Sequence, residues 1–305
     1  MERIRYRTAK KLFSDLSLNS ELSNEGFIYR GQANAEWALI PSAFREDKSH
    51  LLRFTFLNSL GERTNREQVE AEFYTILDFI KELNLNGFHV PNEDILNLES
   101  CAMKYIEYDA KIGRGEYIWP AKEWHSVVAL AQHFGIPTRF LDFTYDPYVA
   151  MYFAVKDVLE NKEKYLNSED IAIYAINSSS MKELSFTDNF GIQEYGFLDK
   201  SKENRRLYQI IKAPASFNQN LRNQRGMFLG FFEKNFKKNM KFEPFSVEEY
   251  LEEVKASKSY KLVIRKKHAS ELLELLHSRF YSASTMFPGI EGCVKSIYER
   301  NNFEQ

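Results

Sequence analysis

HFGIPTRFLDFTYDPYVAMYFAV, residues 133–155, is the stretch on which the fold turns. Upstream of it, Trp124, Val127, Val128 and Ala131 recur on one side of a helix expected from about Ala121 to Phe134. Gly135 and then Pro137 stop that helix. A short strand from Phe140 to Phe143 follows. Asp146-Pro147 then opens a new helix, with Asp146 as N-cap and Pro147 in the first turn. Helix, strand and helix are thus packed into one short run, with Thr138, Arg139, Asp142 and Thr144 at or near the strand ends.

Working outward, Gly26 to Tyr29 reads as a strand. Val69, Phe73, Leu77, Ile80 and Leu83 form the stripe of an amphipathic helix from Arg66 to Leu83. IAIYAI (171–176), YQIIKA (208–213), MFLGFF (227–232) and SYKLVIR (259–265) are β-branched and aromatic enough to be strands. Helices are expected over His268 to Phe280 and Ile290 to Arg300. The alternation of strands and helices is irregular, so the fold class is α+β rather than a doubly wound parallel sheet. No repeat or linker-like tract divides the chain, which reads as one domain over residues 1–305.

The 305 residues are 44% hydrophobic and 15% aromatic, enough for a sizeable core. The net charge of -2, with both signs interspersed, excludes a histone-like basic protein and leaves any nucleic-acid contact to a local patch. One such patch is FFEKNFKKNMKF (231–242), a solvated loop or a site of phosphate contact and stacking. Cys101 and Cys293 lie far apart, which fits a reducing compartment and supports neither a disulfide framework nor a zinc site. No stretch approaches the ~18 apolar residues of a membrane span, and the expectation is a cytoplasmic protein. No two of the six histidines have helical metal-ligand spacing, so no metal is expected.

IYRGQANAEWALIPSAFR, residues 28–45, places Arg30 at a strand end directly before Gly31. Such an arginine is either an ordinary turn residue or a cation aimed into a cleft, where a glycine lets an anionic ligand approach the backbone. Arg30, Gly31 and Gln32, then Thr138, Arg139, Asp142 and Thr144, then Arg222, Gln224, Arg225 and Gly226 form a set of strand-end polar residues, and strand ends opening into one cleft are where ligands bind. Each also has a structural reading: Thr144 starts a turn, and Arg139 pairs with Asp142.

The two runs together resemble the FRG domain family. Tyr29-Arg30-Gly31 with Gln32, Trp37, Leu39, Pro41, Ser42 and Arg45 is similar to its opening signature, and QHFGIPTRFLDFT (132–144) to its second. NQRGMF (223–228) and MFPGIEG (286–292) resemble two later motifs, while 46–120 and 233–258 carry no motif and are expected to be insertions.

The order of parts also resembles the ADP-ribosyltransferase superfamily. There a first strand ends in Arg-Gly, a second ends in a hydroxyl residue before a helix, and a third begins Gln/Glu-x-Glu. That resemblance implies two split sheets around an NAD cleft, with NAD as substrate and no metal. It implies cofactor contacts from Tyr29, Arg30, Gly31, Gln32, Thr138, Arg139 and Asp142, and an aromatic stack from Tyr145, Tyr148 or Phe143. Arg30, Thr144 and Gln224 take catalytic places, but the position of the catalytic glutamate is Gly226. Glu291 is the favoured replacement, with Asp142 and Glu233 as alternatives. The implied function is an intracellular ADP-ribosyltransferase toxin of a toxin-antitoxin or anti-phage system, with an antitoxin partner and RNA, or else DNA or protein, as acceptor. An NAD glycohydrolase and a non-catalytic nucleotide-binding module are the alternatives.

Overall fold

The computed structural model describes residues 1–17, 20–23, 26–52, 63–92, 119–161, 163, 169–181, 185–187, 193–195, 205–212, 219–234, 241–301 and 303. The strands are β1 (Glu2–Tyr6), β2 (Phe27–Gln32), β3 (Phe140–Thr144), β4 (Asp170–Asn177), β5 (Ser185–Thr187), β6 (Gln193–Tyr195), β7 (Arg205–Ile211), β8 (Gly226–Lys234) and β9 (Ser259–Arg265). The helices are α1 (Ala9–Asp15), α2 (Asn65–Leu85), α3 (His125–His133), α4 (Pro147–Glu160), α5 (Gln219–Asn223), α6 (Val247–Glu253), α7 (Ala269–His277), α8 (Ala283–Met286) and α9 (Ile290–Arg300). This is a mixed α+β fold. Seven strands form one sheet in the order β1-β9-β4-β2-β3-β8-β7, antiparallel except for the β1–β9 pair, and β5 and β6 form a separate ribbon.

The sheet is continuous but nearly severed in the middle. β2 pairs with β4 over six residues, whereas it meets β3 only at Tyr29 opposite Thr144. Strand alternation shows what the break does. On one side of it, Phe27, Tyr29, Ile171, Ile173, Leu262 and Ile264 pack under α1, α4 and α7. On the other side, Phe140, Phe228 and Phe232 pack under α2 and α3 with Trp119 and Trp124. The remaining faces of both halves, including Ile28, Tyr174, Val263, Phe143, Leu229 and Phe231, share one further core with α6. Strands on both sides of the β2–β3 pair therefore cover a common apolar layer.

Local signals place the helices that hold this frame. The Asp146 carboxylate accepts the Tyr148 N–H at 2.9 Å, and Pro147 sits in the first turn of α4. Thr64 and Glu67 cap α2 reciprocally in a capping box. The expected 46–120 insertion contains α2, whose Val69, Phe73 and Ile80 are core residues. The expected 233–258 insertion contains α6, whose Val247, Tyr250 and Leu251 are also buried. β1, α1 and α6 have no counterpart in the sequence reading. Cys101, residues 235–240 of the basic-aromatic stretch and residue 213 of YQIIKA lie outside the described residues. No described helix is long and apolar enough to cross a membrane.

Gly31 shows how tightly α4 is seated. A Cβ there would lie 1.9 Å from the Ala150 carbonyl oxygen, so it is the helix backbone, rather than an approaching ligand, that forbids a side chain at this position. Gly31→Ala is therefore expected to destabilise the protein by about 1–3 kcal/mol through overpacking. A thermal melt checks this, and an unchanged midpoint would contradict the close approach of β2 and α4.

Candidate functional site

A cleft of about 480 Å³ lies beside the β2–β3 pair. Arg30, Gln32, Thr144, Gln224, Asp142 and Arg45 line it, with Tyr29 and Gly31 at its edge. The three motif strands are neighbours in the sheet, and that adjacency brings Arg30, Thr144 and Gln224 together across nearly two hundred residues.

Arg30 is held from the neighbouring half-sheet. Its Nη1 donates to the backbone carbonyl of Asp142 at 2.6 Å and lies 3.8 Å from the carboxylate Oδ2. The side chain is 18% exposed. Burial lowers its proton affinity and the nearby Asp142 raises it, and a guanidinium keeps its charge in this balance. Among the described residues, its Nε has no hydrogen-bond partner, nor does the Oε1 of Gln32, which is buried in the same cleft. A buried donor and a buried acceptor left unmatched are costly, and they suit a ligand that offers both.

Gln132 ties the two long motif runs to each other. Its Nε2 donates to Asp142 Oδ2 at 2.9 Å, while its Oε1 accepts from the Thr138 hydroxyl at 2.7 Å and from Ser42 at 3.3 Å. Ser42 Oγ in turn accepts the Thr138 N–H at 3.1 Å. Thr138 thus positions Asp142 through Gln132 and does not itself line the cleft. Thr144 is also a brace: its hydroxyl donates to the Gln224 carbonyl at 2.7 Å and accepts the Asp146 N–H at 3.0 Å. The Gln224 side chain donates to the Met286 carbonyl at 3.2 Å, fixing α8 beside the cleft and bringing Phe287 into its wall.

Several expected contacts fall elsewhere. Arg139 is buried away from the cleft, where its guanidinium pairs with Glu72 through Nε at 2.7 Å and Nη2 at 2.9 Å and donates to the Trp119 carbonyl at 3.0 Å. It is a structural cation, and its partner is Glu72 rather than Asp142. Tyr145 and Tyr148 face a second cleft; the Tyr148 ring packs on Phe13 with centroids 4.6 Å apart. Of the three candidate carboxylates, Glu291 stands 82% exposed in α9, paired with Lys295 one turn on, and is absent from the lining. Its neighbour Gly292 is a packing residue, because a Cβ there would lie 1.8 Å from the Phe287 carbonyl oxygen. Glu233 is held by Arg206, and burial raises its carboxyl above the ordinary range. Asp142 alone of the three borders the cleft, half exposed and beside Arg30.

The lining also includes residues to which the sequence reading assigns no role. Arg45 and His133 stand inside the quoted motif runs, whereas Lys156 and Asp157 lie on the α4 face that the motifs do not mark. Burial lowers the His133 pKa against the pull of Asp142, and its Nε2 lies 3.2 Å from the Asn220 amide. The wall therefore carries Arg30, Arg45 and Lys156, the last paired with Glu160, beside the carboxylates of Asp142 and Asp157, with Trp37 partly exposed. Such a wall suits an anionic ligand with an aromatic part. Among the described residues, no group of His, Cys, Asp or Glu could hold a metal ion.

No curated protein and no solved structure matches the chain. Residues 25–163, which carry the Tyr29-Arg30-Gly31 strand, α2, α3, β3 and α4, match the FRG domain family.

Proposed function

We propose that the cleft binds NAD and that the protein transfers its ADP-ribose to an acceptor, with RNA the favoured class. The observation that carries this reading is the convergence of Arg30, Thr144 and Gln224 beside the β2–β3 pair. That layout is similar to the meeting of the arginine, hydroxyl and Gln/Glu strands in ADP-ribosyltransferases. Two further features support it. The unmatched Arg30 Nε and Gln32 Oε1 are one donor and one acceptor, the complement of a carboxamide such as that of nicotinamide. Arg30, Arg45 and Lys156 suit a pyrophosphate.

In the reaction the bond between C1′ of the ribose and the nicotinamide nitrogen breaks, and nicotinamide leaves with the bonding pair. The acceptor nucleophile then bonds to C1′ and gives up its proton. Positive charge develops on the ribose as the bond breaks, and a carboxylate stabilises it. Asp142 takes that role in this reading, because Gln132 and Arg30 hold its carboxylate at the cleft wall. Its half exposure also admits water as acceptor, so hydrolysis of NAD is the second reading.

Incubation of the purified protein with NAD, with and without RNA, tests both. Release of nicotinamide with label on the RNA supports transfer, and release without acceptor supports hydrolysis. Asp142→Asn is expected to slow release about 100-fold or more while NAD still binds. Absence of both nicotinamide release and saturable NAD binding would overturn the proposal.

A further inference from the structure

A second cleft, of about 740 Å³, lies beside the first, and the two share Tyr29 in their walls. Chain alternation divides the residues between them. Thr144 borders the first cleft and Tyr145 the second; Gln224 borders the first and Arg225 the second. The short turn segments that end β3 and begin β8 are thus each read from two sides.

The second cleft combines two cations with four tyrosines. Arg225 adopts φ +46°, a left-handed conformation uncommon for a non-glycine residue, and its backbone carbonyl accepts the Tyr145 N–H at 3.2 Å. Its guanidinium is 70% exposed and lies 3.4 Å from Asp146 Oδ2. Asp146 is largely committed, since Oδ1 caps α4 and Oδ2 also accepts the Tyr281 hydroxyl at 2.9 Å. Arg279 lies over the Phe13 ring at 5.6 Å, exposed to solvent on its other side. Two arginines against one aspartate leave the cleft with a single net positive charge. Tyr145 stands 45% exposed at its rim, while Tyr148 and Tyr281 pack against each other with centroids 5.4 Å apart.

An exposed aromatic face beside exposed cationic heads is the arrangement that stacks a base and neutralises its phosphate. We propose that this second cleft binds a nucleoside phosphate, with the base on Tyr145 and the phosphate between Arg225 and Arg279. The group is either a free nucleotide or a residue of a single strand, and the site is independent of the NAD reading because none of these three side chains borders the first cleft.

Fluorescence-anisotropy titration of the full chain tests it, with a labelled single-stranded RNA of roughly eight nucleotides, within the usual site size. Adenosine 5′-monophosphate and inorganic phosphate serve as competitors. The expected result is saturable binding weakened at least about tenfold in Arg225→Gln/Arg279→Gln and also weakened in Tyr145→Ala, with a shallower salt dependence in the double variant. Arg30→Ala is expected to bind the RNA as the unaltered protein does. Displacement by the monophosphate points to a single-nucleotide site, and resistance to it points to a strand. Circular dichroism melts confirm that the variants are folded. No saturable binding, equal affinity in the folded double variant, or displacement by inorganic phosphate as readily as by the nucleotide would each overturn the proposal.

Discussion

Glu72→Ala is expected to destabilise the protein by about 3–5 kcal/mol, the usual cost of removing one partner from a buried ion pair. The carboxylate is 3% exposed and accepts four hydrogen bonds: Arg139 Nε at 2.7 Å, Arg139 Nη2 at 2.9 Å, Gln68 Nε2 at 2.8 Å and Trp119 Nε1 at 3.1 Å. Without it, the Arg139 guanidinium stays in the core beside the Phe44 and Phe231 rings without the carboxylate that pairs with it. The double variant Glu72→Ala/Arg139→Met removes the orphaned charge as well and is expected to recover much of the loss. Denaturant midpoints with unchanged slopes measure both effects. A single variant within about 0.5 kcal/mol of the parent, the range of ordinary surface substitutions, would show that the pair does not hold α2 to β3.

Arg30→Ala is expected to reduce NAD cleavage at least about 100-fold, as loss of a preorganised charge contact in a transition state does. The fold should survive, because the lost protein contact is one hydrogen bond to the Asp142 carbonyl and a loose approach to its carboxylate. Arg30→Lys is expected to recover little. A lysine supplies a point charge where the planar guanidinium offers one arm to Asp142 and carries a buried Nε that has no partner. Nicotinamide release and a thermal melt, run on the same preparations, separate the two effects. Full turnover in a folded Arg30→Ala protein would remove Arg30 from the chemistry and leave the cleft without its central cation.

The two variants divide the strand-end arginines that the sequence presents as equals. Arg30 and Arg139 both stand by a strand end in a motif, and both admit a functional and a structural reading. The difference is made by what packs opposite. Arg139 meets Glu72, 67 positions earlier, with both side chains buried away from the cleft. Arg30 meets the cleft beside the β2–β3 pair. Thr138 and Ser42 show an intermediate case: both support the site, but only by way of Gln132, a residue with no distinguishing local pattern. Glu291 stands outside the cleft for a similar reason. Its motif resembles one of the family's, but Gly292 there lets α9 lie against the Phe287 backbone, and Glu291 stands exposed beside Lys295.

What the sequence determined by itself was local. The Asp146-Pro147 start of α4, the capped amphipathic α2, SYKLVIR as β9, Ile290–Arg300 as α9 and the α+β class all follow from interactions within a few residues, where capping, φ restriction and side-chain period act directly. Only the tertiary structure decided which strands became neighbours, that β2 and β3 pair in register at a single position, and which polar side chains gather beside it. Those outcomes depend on hydrophobic layers assembled from segments far apart in the chain, and no short-range pattern encodes the side of a sheet on which a distant helix will come to rest.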